Sequence, residues 1–500
     1  MKEYLKNIWI KYPYGTIMVI ALIVRLIAAI FAKGYGMHDD HFCVIEVAQN
    51  WVDGIALPDA KDPSLRNLFY IGSHYLLFSG FEQVGIFDPQ IKMFIVRILH
   101  AFYSLLIVWF GMKITEELSD KNTAKFAGIL LALFWVLPFM SVRNLVEIVC
   151  IPPLIIGAYI LIKKNQNKEF LLAVLAGAAC GIAFVLRYQT ASFIGLLGLL
   201  LLIERKWTRL IGLMAGFIVI CFIALGIPEY FVYGKPFTTF IEYLRYNADS
   251  KNMYEYTTNV WYTYAGTVLG FLIPPTSLMM FSIFIMTWKK ARYLVFPTVA
   301  FLIFHSLYPN KQERFILPAI PFILIGATIG WYWLKKEMKV SLLWDRINKW
   351  MWRWFWVVNA FLLVLTLFTY SKKTRVESMR FFYDKPEVKA ILIDDELSSI
   401  PMMPFFYMGR TCRIYEVSRE KPLDSLKINF NNGNSLPPSY IIYMGDDHLQ
   451  ERIDKLKSIF PEQKFVKQIN PSLVDDLLYM LNPKYNINRA VYIYRVVDKE

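Results

Sequence analysis

The sequence predicts a mainly α-helical, polytopic transmembrane bundle of about eleven spans, with a small C-terminal extracytoplasmic α/β domain. Three observations predict it. Of 500 residues, 56% are hydrophobic and only 19% charged, less charge than a soluble chain of this size carries. The apolar residues come in blocks of about twenty, the length that crosses a hydrocarbon core as a helix, and the blocks recur from residue 15 to residue 370. The net charge of +14 is spread over short loops between the blocks, which fits topology control in a lipid bilayer and excludes a nucleic-acid-binding patch.

In chain order the spans are expected at 15–33, 93–115, 123–142, 145–162, 170–186, 190–203, 207–227, 264–288, 293–308, 315–334 and 354–370. The first follows Lys2, Lys6 and Lys11 and reads as a retained anchor, being longer than the core of a signal peptide. Three of the five cysteines, Cys150, Cys180 and Cys221, fall inside apolar runs. No disulfide framework is expected, and only a Cys43–Cys412 bridge stays open.

Charge then sets the sides. "KKNQNKE", "ERKWTR", "WKKAR" and "KKEMKVSLLWDRINKWMWR" are dense in Lys and Arg and are expected in the cytoplasm. The alternate loops hold few cations and belong outside. The first of these, 34–92, carries "HFCVIEVAQNWV" and "LFYIGSHYLLFSGFEQVGIF", which read as helices lying along the interface. Residues 1–370 are thus expected to form the transmembrane module. After Ser371 the composition shifts. "VKAILIDDE", "SYIIYMGDD" and "AVYIYRVVDKE" read as strands, "LQERIDKLKSIF" and "SLVDDLLYML" as amphipathic helices, so 371–500 is expected to be an extracytoplasmic α/β domain. It has no phosphate-binding Gly loop and no zinc-ligand spacing.

Polar and ionisable residues collect at the outer ends of the spans: His38, Asp39, Asp40 and His41; Arg143, Asn144 and Glu147; Arg187; Glu229; His305, Lys311, Glu313 and Arg314. Charge near hydrocarbon is costly unless paired or facing a cavity, so acids and bases gathered on one face imply a polar cleft. Bland readings stand beside this one. Arg143 and Glu147 have the i, i+4 spacing of a simple ion pair, Arg187 could snorkel, and His74 reads as structural. The His38–Asp39–Asp40–His41 cluster is open to three readings: a solvated turn, a metal site, or a catalytic carboxylate. The last is preferred, because the spacing matches no common zinc pattern.

Four segments resemble the integral-membrane glycosyltransferases of the C superfamily, specifically family 22, which transfer mannose from a lipid phosphate during N-glycan precursor and GPI-anchor assembly. "MHDDHF" from Met37 is similar to that family's H-P-D-E-H-F, with Asp39 on its first acid, His38 in place of the proline and Asp40 in place of the glutamate. "GIAFVLRYQT" from Gly181 is similar to its Gly-x5-Arg-x-x-Thr segment. "PEYFVYGKPFTTFIEYLRYN" from Pro228 and "HSLYPNKQERFILPAIPF" from His305 complete the series, the latter with Lys311, Arg314 and Phe315 in register and with Asn310 and Gln312 replacing a histidine and a glutamate.

The resemblance implies a polyprenyl-phosphate sugar donor, a glycan or glycolipid acceptor, and inversion at the anomeric carbon. On this reading Asp39 is the general base, and Asp40 orients it or binds the acceptor. Lys311, Arg314 and Arg187 receive the departing phosphate. His38, His41, His305 and Glu229 are supporting candidates. No cofactor and no metal are expected, since the cations can stabilise the phosphate. The expected setting is a bacterial plasma membrane with the site facing outward, because "VVDKE" is no ER-retention signal, or the ER membrane of a eukaryote. The competing readings are a C-superfamily enzyme of another family acting on lipid A or protein, a lipid or glycan transporter, and a non-catalytic scaffold. Mid-span charge, the mark of a transporter, is confined to Arg25 and Arg97.

Overall fold

A computed structural model of the chain describes residues 7, 9–55, 57–58, 66–164, 167–249, 251–252, 258–337, 342–396, 398, 401–421, 423, 436–481 and 488–497. The chain divides into two compact units. The first comprises Met1–Ile30, Gly54–Ser73 and Val96–Leu367; the second comprises Phe31–Asp53, His74–Ile95 and Phe368–Glu500.

The first unit is helical. Among the described residues, six helices are long and apolar enough to cross a membrane: Pro13–Phe31, Pro89–Leu118, Glu169–Leu186, Trp207–Tyr233, Glu313–Glu337 and Arg346–Leu367. A seventh span results if Thr263–Phe271 and Thr276–Lys289, bent by 110° where Pro274 and Pro275 intervene, are taken as one. The sequence expectation of about eleven spans counted four further runs. These fold as shorter helices, Val146–Ile162, Tyr188–Ile203 and Arg292–Leu307, and as Lys121–Leu133 followed by a break. At that break the Asn359 side chain accepts from the Trp135 amide (3.0 Å) and donates to the Leu133 carbonyl (2.8 Å). One side chain thereby satisfies backbone groups that lipid could not.

Small residues set the tightest helix contact. Glu169–Leu186 and Trp207–Cys221 pack so closely that a Cβ on Gly177 would collide with the Leu213 carbonyl, and one on Gly216 with the Val174 carbonyl. Glycine is required there by space, as in other close membrane helix pairs. The two mid-span arginines are held by the protein itself. Arg25 donates to Ser104 Oγ (2.9 Å) and to the carbonyls of Ala21, Ala132 and Leu131, and Arg97 donates to the Ala29 carbonyl (2.8 Å).

The second unit contains a five-stranded sheet in the order β2-β1-β3-β5-β4, with β1 Ala390–Asp395, β2 Arg413–Ser418, β3 Tyr440–Met444, β4 Gln463–Ile469 and β5 Val491–Val496. β1 runs parallel to β2 and β3; β5 is antiparallel to β3 and β4. β1 and β3 are buried along their whole length, as central strands covered on both faces are. Alternate residues Ala390, Leu392, Tyr415, Val417, Ile441 and Tyr443 pack on Ile453 and Leu456 of helix Leu449–Lys457. The five cysteines are thiols, so the Cys43–Cys412 bridge is not formed.

Candidate functional site

In the second unit, the segment that leaves the first helix is tied to the segment that follows the last one. Gly34 has φ +76°, and a Cβ there would collide with the Ser371 carbonyl. The two residues form a parallel bridge, the Ser371 amide donates to the Lys33 carbonyl (3.1 Å), and the rings of Phe31 and Phe368 meet at 4.9 Å. This close approach brings Lys372 to the acidic cluster. Lys372 Nζ lies 3.1 Å from His38 Nε2 and 5.5 Å above the Tyr35 ring.

His38, Asp39 and Asp40 form one short helical turn, continued by a π-helical turn from His41 to Glu46. Asp40 is buried, whereas Asp39 is half-buried and so the more accessible carboxylate. His41 is fully enclosed between the parallel rings of Tyr35 (4.6 Å) and Tyr407 (5.5 Å), with Nε2 3.3 Å from Glu46 Oε1. The same Glu46 oxygen accepts from the Phe406 amide at 2.9 Å. Asp475 accepts from the amides of Lys372 and Lys373 (3.2 and 3.3 Å), and Arg375 donates to the Met402 carbonyl (2.8 Å). Burial, followed by the charges of Lys372 and Arg375, pushes His38 down to about 3. Burial, then Arg375, brings Lys372 down to about 8. At neutral pH His38 is therefore uncharged and Lys372 is an ammonium. Lys372 has protons to donate, so Nε2 accepts and the imidazole proton sits on Nδ1. His74, the histidine read as structural, is buried edge-on to Phe78.

The first unit gathers the expected cations. Glu147, 1% exposed, is 2.5 Å from Arg187 Nη1 and 3.6 Å from Arg314 Nε. The guanidinium groups of Arg187 and Arg314 both approach the Phe315 ring, at 5.2 and 5.5 Å. Lys311 Nζ donates to the carbonyls of Ser306 (3.0 Å) and Tyr308 and lies 5.7 Å from the Tyr264 ring. Tyr264 in turn exchanges hydrogen bonds with the backbone of Gln312 (3.1 and 3.2 Å), and His305 packs against Tyr264 and Phe315. Glu147 and Arg143 do not share a helix: the chain is non-helical between Ser141 and Val146. The expected i, i+4 geometry is thus lost, and Glu147 serves two arginines distant in sequence.

Glu229 is buried. It accepts from the Thr239 amide (3.0 Å) and from the Thr239 hydroxyl, which also meets the Tyr188 hydroxyl at 3.0 Å. Gln189 donates to Tyr243 (2.5 Å), and Tyr308 to Asn247 Oδ1 (3.0 Å). The segments from Gly181, Pro228 and His305 are therefore stitched together in one unit. Sequence reasoning missed Lys372 and Arg375, and it missed Arg66, whose charge also acts on Glu147. Among the described residues no three His, Cys, Asp or Glu side chains gather as metal ligands would.

The chain shares its fold with ArnT from Cupriavidus metallidurans, solved bound to undecaprenyl phosphate (TM-score 0.63, 12% identity, 97% of this chain and 98% of that one). It also matches the oligosaccharyltransferase of Archaeoglobus fulgidus (TM-score 0.51, 10% identity, 87% and 69%). At these identities the likeness is one of fold. The chain belongs to the Alg9-like mannosyltransferase family, whose pattern it matches over residues 16–407. It is 23% identical to GPI mannosyltransferase 3 of Yarrowia lipolytica over 355 residues (67% of each chain) and 23% identical to mannosyltransferase APTG1 of Arabidopsis thaliana over 337 residues (65% and 60%). A second GPI mannosyltransferase 3, from Kluyveromyces lactis, is 24% identical over 314 residues (58% and 50%). The chain thus spans half to two thirds of the length of these curated relatives.

Proposed function

We propose that this multi-pass membrane glycosyltransferase moves mannose from a polyprenyl-phosphate donor to a hydroxyl of a glycan or glycolipid acceptor, on the outer face of the membrane and with inversion at the anomeric carbon. The observation that carries this reading is the family match over residues 16–407, which contains every residue singled out for the chemistry. Nucleotide sugars are confined to the cytoplasm, so an outward-facing transferase needs a donor that arrives through the lipid. ArnT, alike in fold, was solved with such a lipid phosphate.

In the reaction, Asp39 takes the proton of the acceptor hydroxyl as its oxygen attacks the anomeric carbon; general-base assistance of this kind contributes about 10²–10⁴-fold. The bond from that carbon to the phosphate oxygen breaks, and polyprenyl phosphate leaves with the electron pair. An anionic leaving group needs positive charge more than a proton, which Lys311, Arg314 and Arg187 are suited to give. Asp40, His38, His41, His305 and Glu229 support these groups.

The test incubates the purified protein and a native lipid-extract acceptor with a panel of lipid-phosphate sugars: mannosyl, glucosyl and aminoarabinosyl, on undecaprenyl and dolichyl carriers. Mass spectrometry identifies the donor consumed. Consumption of the mannosyl donor is the expected result. Consumption of only the aminoarabinosyl donor, or of none, contradicts the reading.

A further inference from the structure

We propose that Lys372, Arg375 and His38 form a phosphate-binding site next to Asp39. The inference rests on the reading above only in assigning that phosphate to the reaction. Three features of the second unit carry it. His38 and Arg375 each bury a nitrogen that has no hydrogen-bond partner, His38 Nδ1 and Arg375 Nε. Arg375 is 6% exposed, so its unmatched donor is shielded from bulk water. Among the described residues Lys372 Nζ contacts no carboxylate: its neighbour is the neutral ring of His38, while Asp475 is engaged with backbone amides.

The chemistry of the three groups agrees. With Nε2 accepting from Lys372, His38 can offer only the N–H at Nδ1. Arg375 Nε–H is a donor, and Lys372 has further ammonium protons. A buried donor left without an acceptor costs free energy, and His38 Nδ1–H and Arg375 Nε–H are two such donors. An oxyanion with several acceptor oxygens satisfies them together, and a phosphate fits best. His38 and Lys372 are only half-buried, which leaves a way in. The cations of the first unit differ. Arg187 and Arg314 share Glu147, and Lys311 is committed to two carbonyls.

Such a phosphate has two sources: the polyprenyl phosphate of the donor, or a phosphate carried by the acceptor. The experiment measures binding of undecaprenyl phosphate and of inorganic phosphate to the full chain in nanodiscs. Wild type is compared with Lys372→Gln, His38→Phe and Lys372→Arg, and each variant's melting temperature is recorded. Losing one charged hydrogen bond weakens binding by about tenfold or more. Weaker undecaprenyl phosphate binding by the Gln and Phe variants, with Lys372→Arg near wild type, supports the site and names the donor lipid as source. Weaker inorganic phosphate binding alone supports the site and names the acceptor. Unchanged affinity for both ligands in Lys372→Gln and His38→Phe overturns it. Should the Gln and Phe variants not fold, Lys372→Arg decides: retained binding supports the site, and a loss as large as a missing ligand contradicts it. If these results hold but the donor panel shows no turnover, the proposed function fails while the phosphate site stands.

Discussion

At the scale of single residues, burial decides what each ionisable group can do. His38 would titrate near neutrality in water, yet enclosure and two neighbouring cations keep it uncharged down to about 3. It can therefore serve as a neutral donor but not as a cation. Lys372 faces His38, Arg375, Asp475 and the Tyr35 ring, and it titrates at about 8 instead of 10.5. Its charge is present below that pH and lost above it. Affinity for undecaprenyl phosphate is thus expected to hold up to about 8 and to fall as pH rises further. Folding disfavours the protonated lysine, so the linked stability rises between about 8 and 10.5. Binding titrations and melting curves run across this range separate the two: affinity falling while stability rises is expected, and a parallel fall of both contradicts the assignment. Glu147 shows the same logic in the first unit. A buried carboxylate shared by Arg187 and Arg314 holds two cations that neither its own helix nor local spacing would reveal.

At the scale of elements, close packing and edge position explain which features could be read from sequence. Helices Glu169–Leu186 and Trp207–Cys221 meet backbone to backbone at Gly177 and Gly216. Gly216→Leu is expected to force them apart at a cost of about 1–3 kcal/mol, read as a lower melting temperature in detergent; an unchanged melting temperature would contradict the packing. The three strands expected from sequence, β1, β3 and β5, are the interior strands of the sheet, while the two unforeseen ones, β2 and β4, are its edges. Interior strands must be apolar and so announce themselves. β4, "QKFVKQI", is almost wholly exposed, and its two lysines guard an open edge while erasing the pattern that betrays a strand. Helix breaks are hidden for a related reason. Hydropathy records that a run is apolar, but not that Asn359 lets the helix break at Phe134.

At the scale of the whole chain, the acidic cluster was legible because charge directly after an apolar run is conspicuous, and the four similar segments were legible because they keep their order. Lys372 and Arg375 were not. Lys372 lies 334 positions from His38, at the start of what reads as a separate domain, and contacts such as the Gly34–Ser371 bridge make them neighbours. The second unit is accordingly interleaved, drawing on Phe31–Asp53 and His74–Ile95 as well as on Phe368–Glu500. Membership of the Alg9-like mannosyltransferase family over residues 16–407 gives the chain its class. The most direct measurement compares wild type with Asp39→Asn, using radiolabelled mannosyl polyprenyl phosphate and confirming equal folding by melting temperature. The expected result is a loss of transfer of about 10²-fold or more with undecaprenyl phosphate binding retained. Transfer at the wild-type rate by a folded Asp39→Asn protein would contradict the role given to that carboxylate.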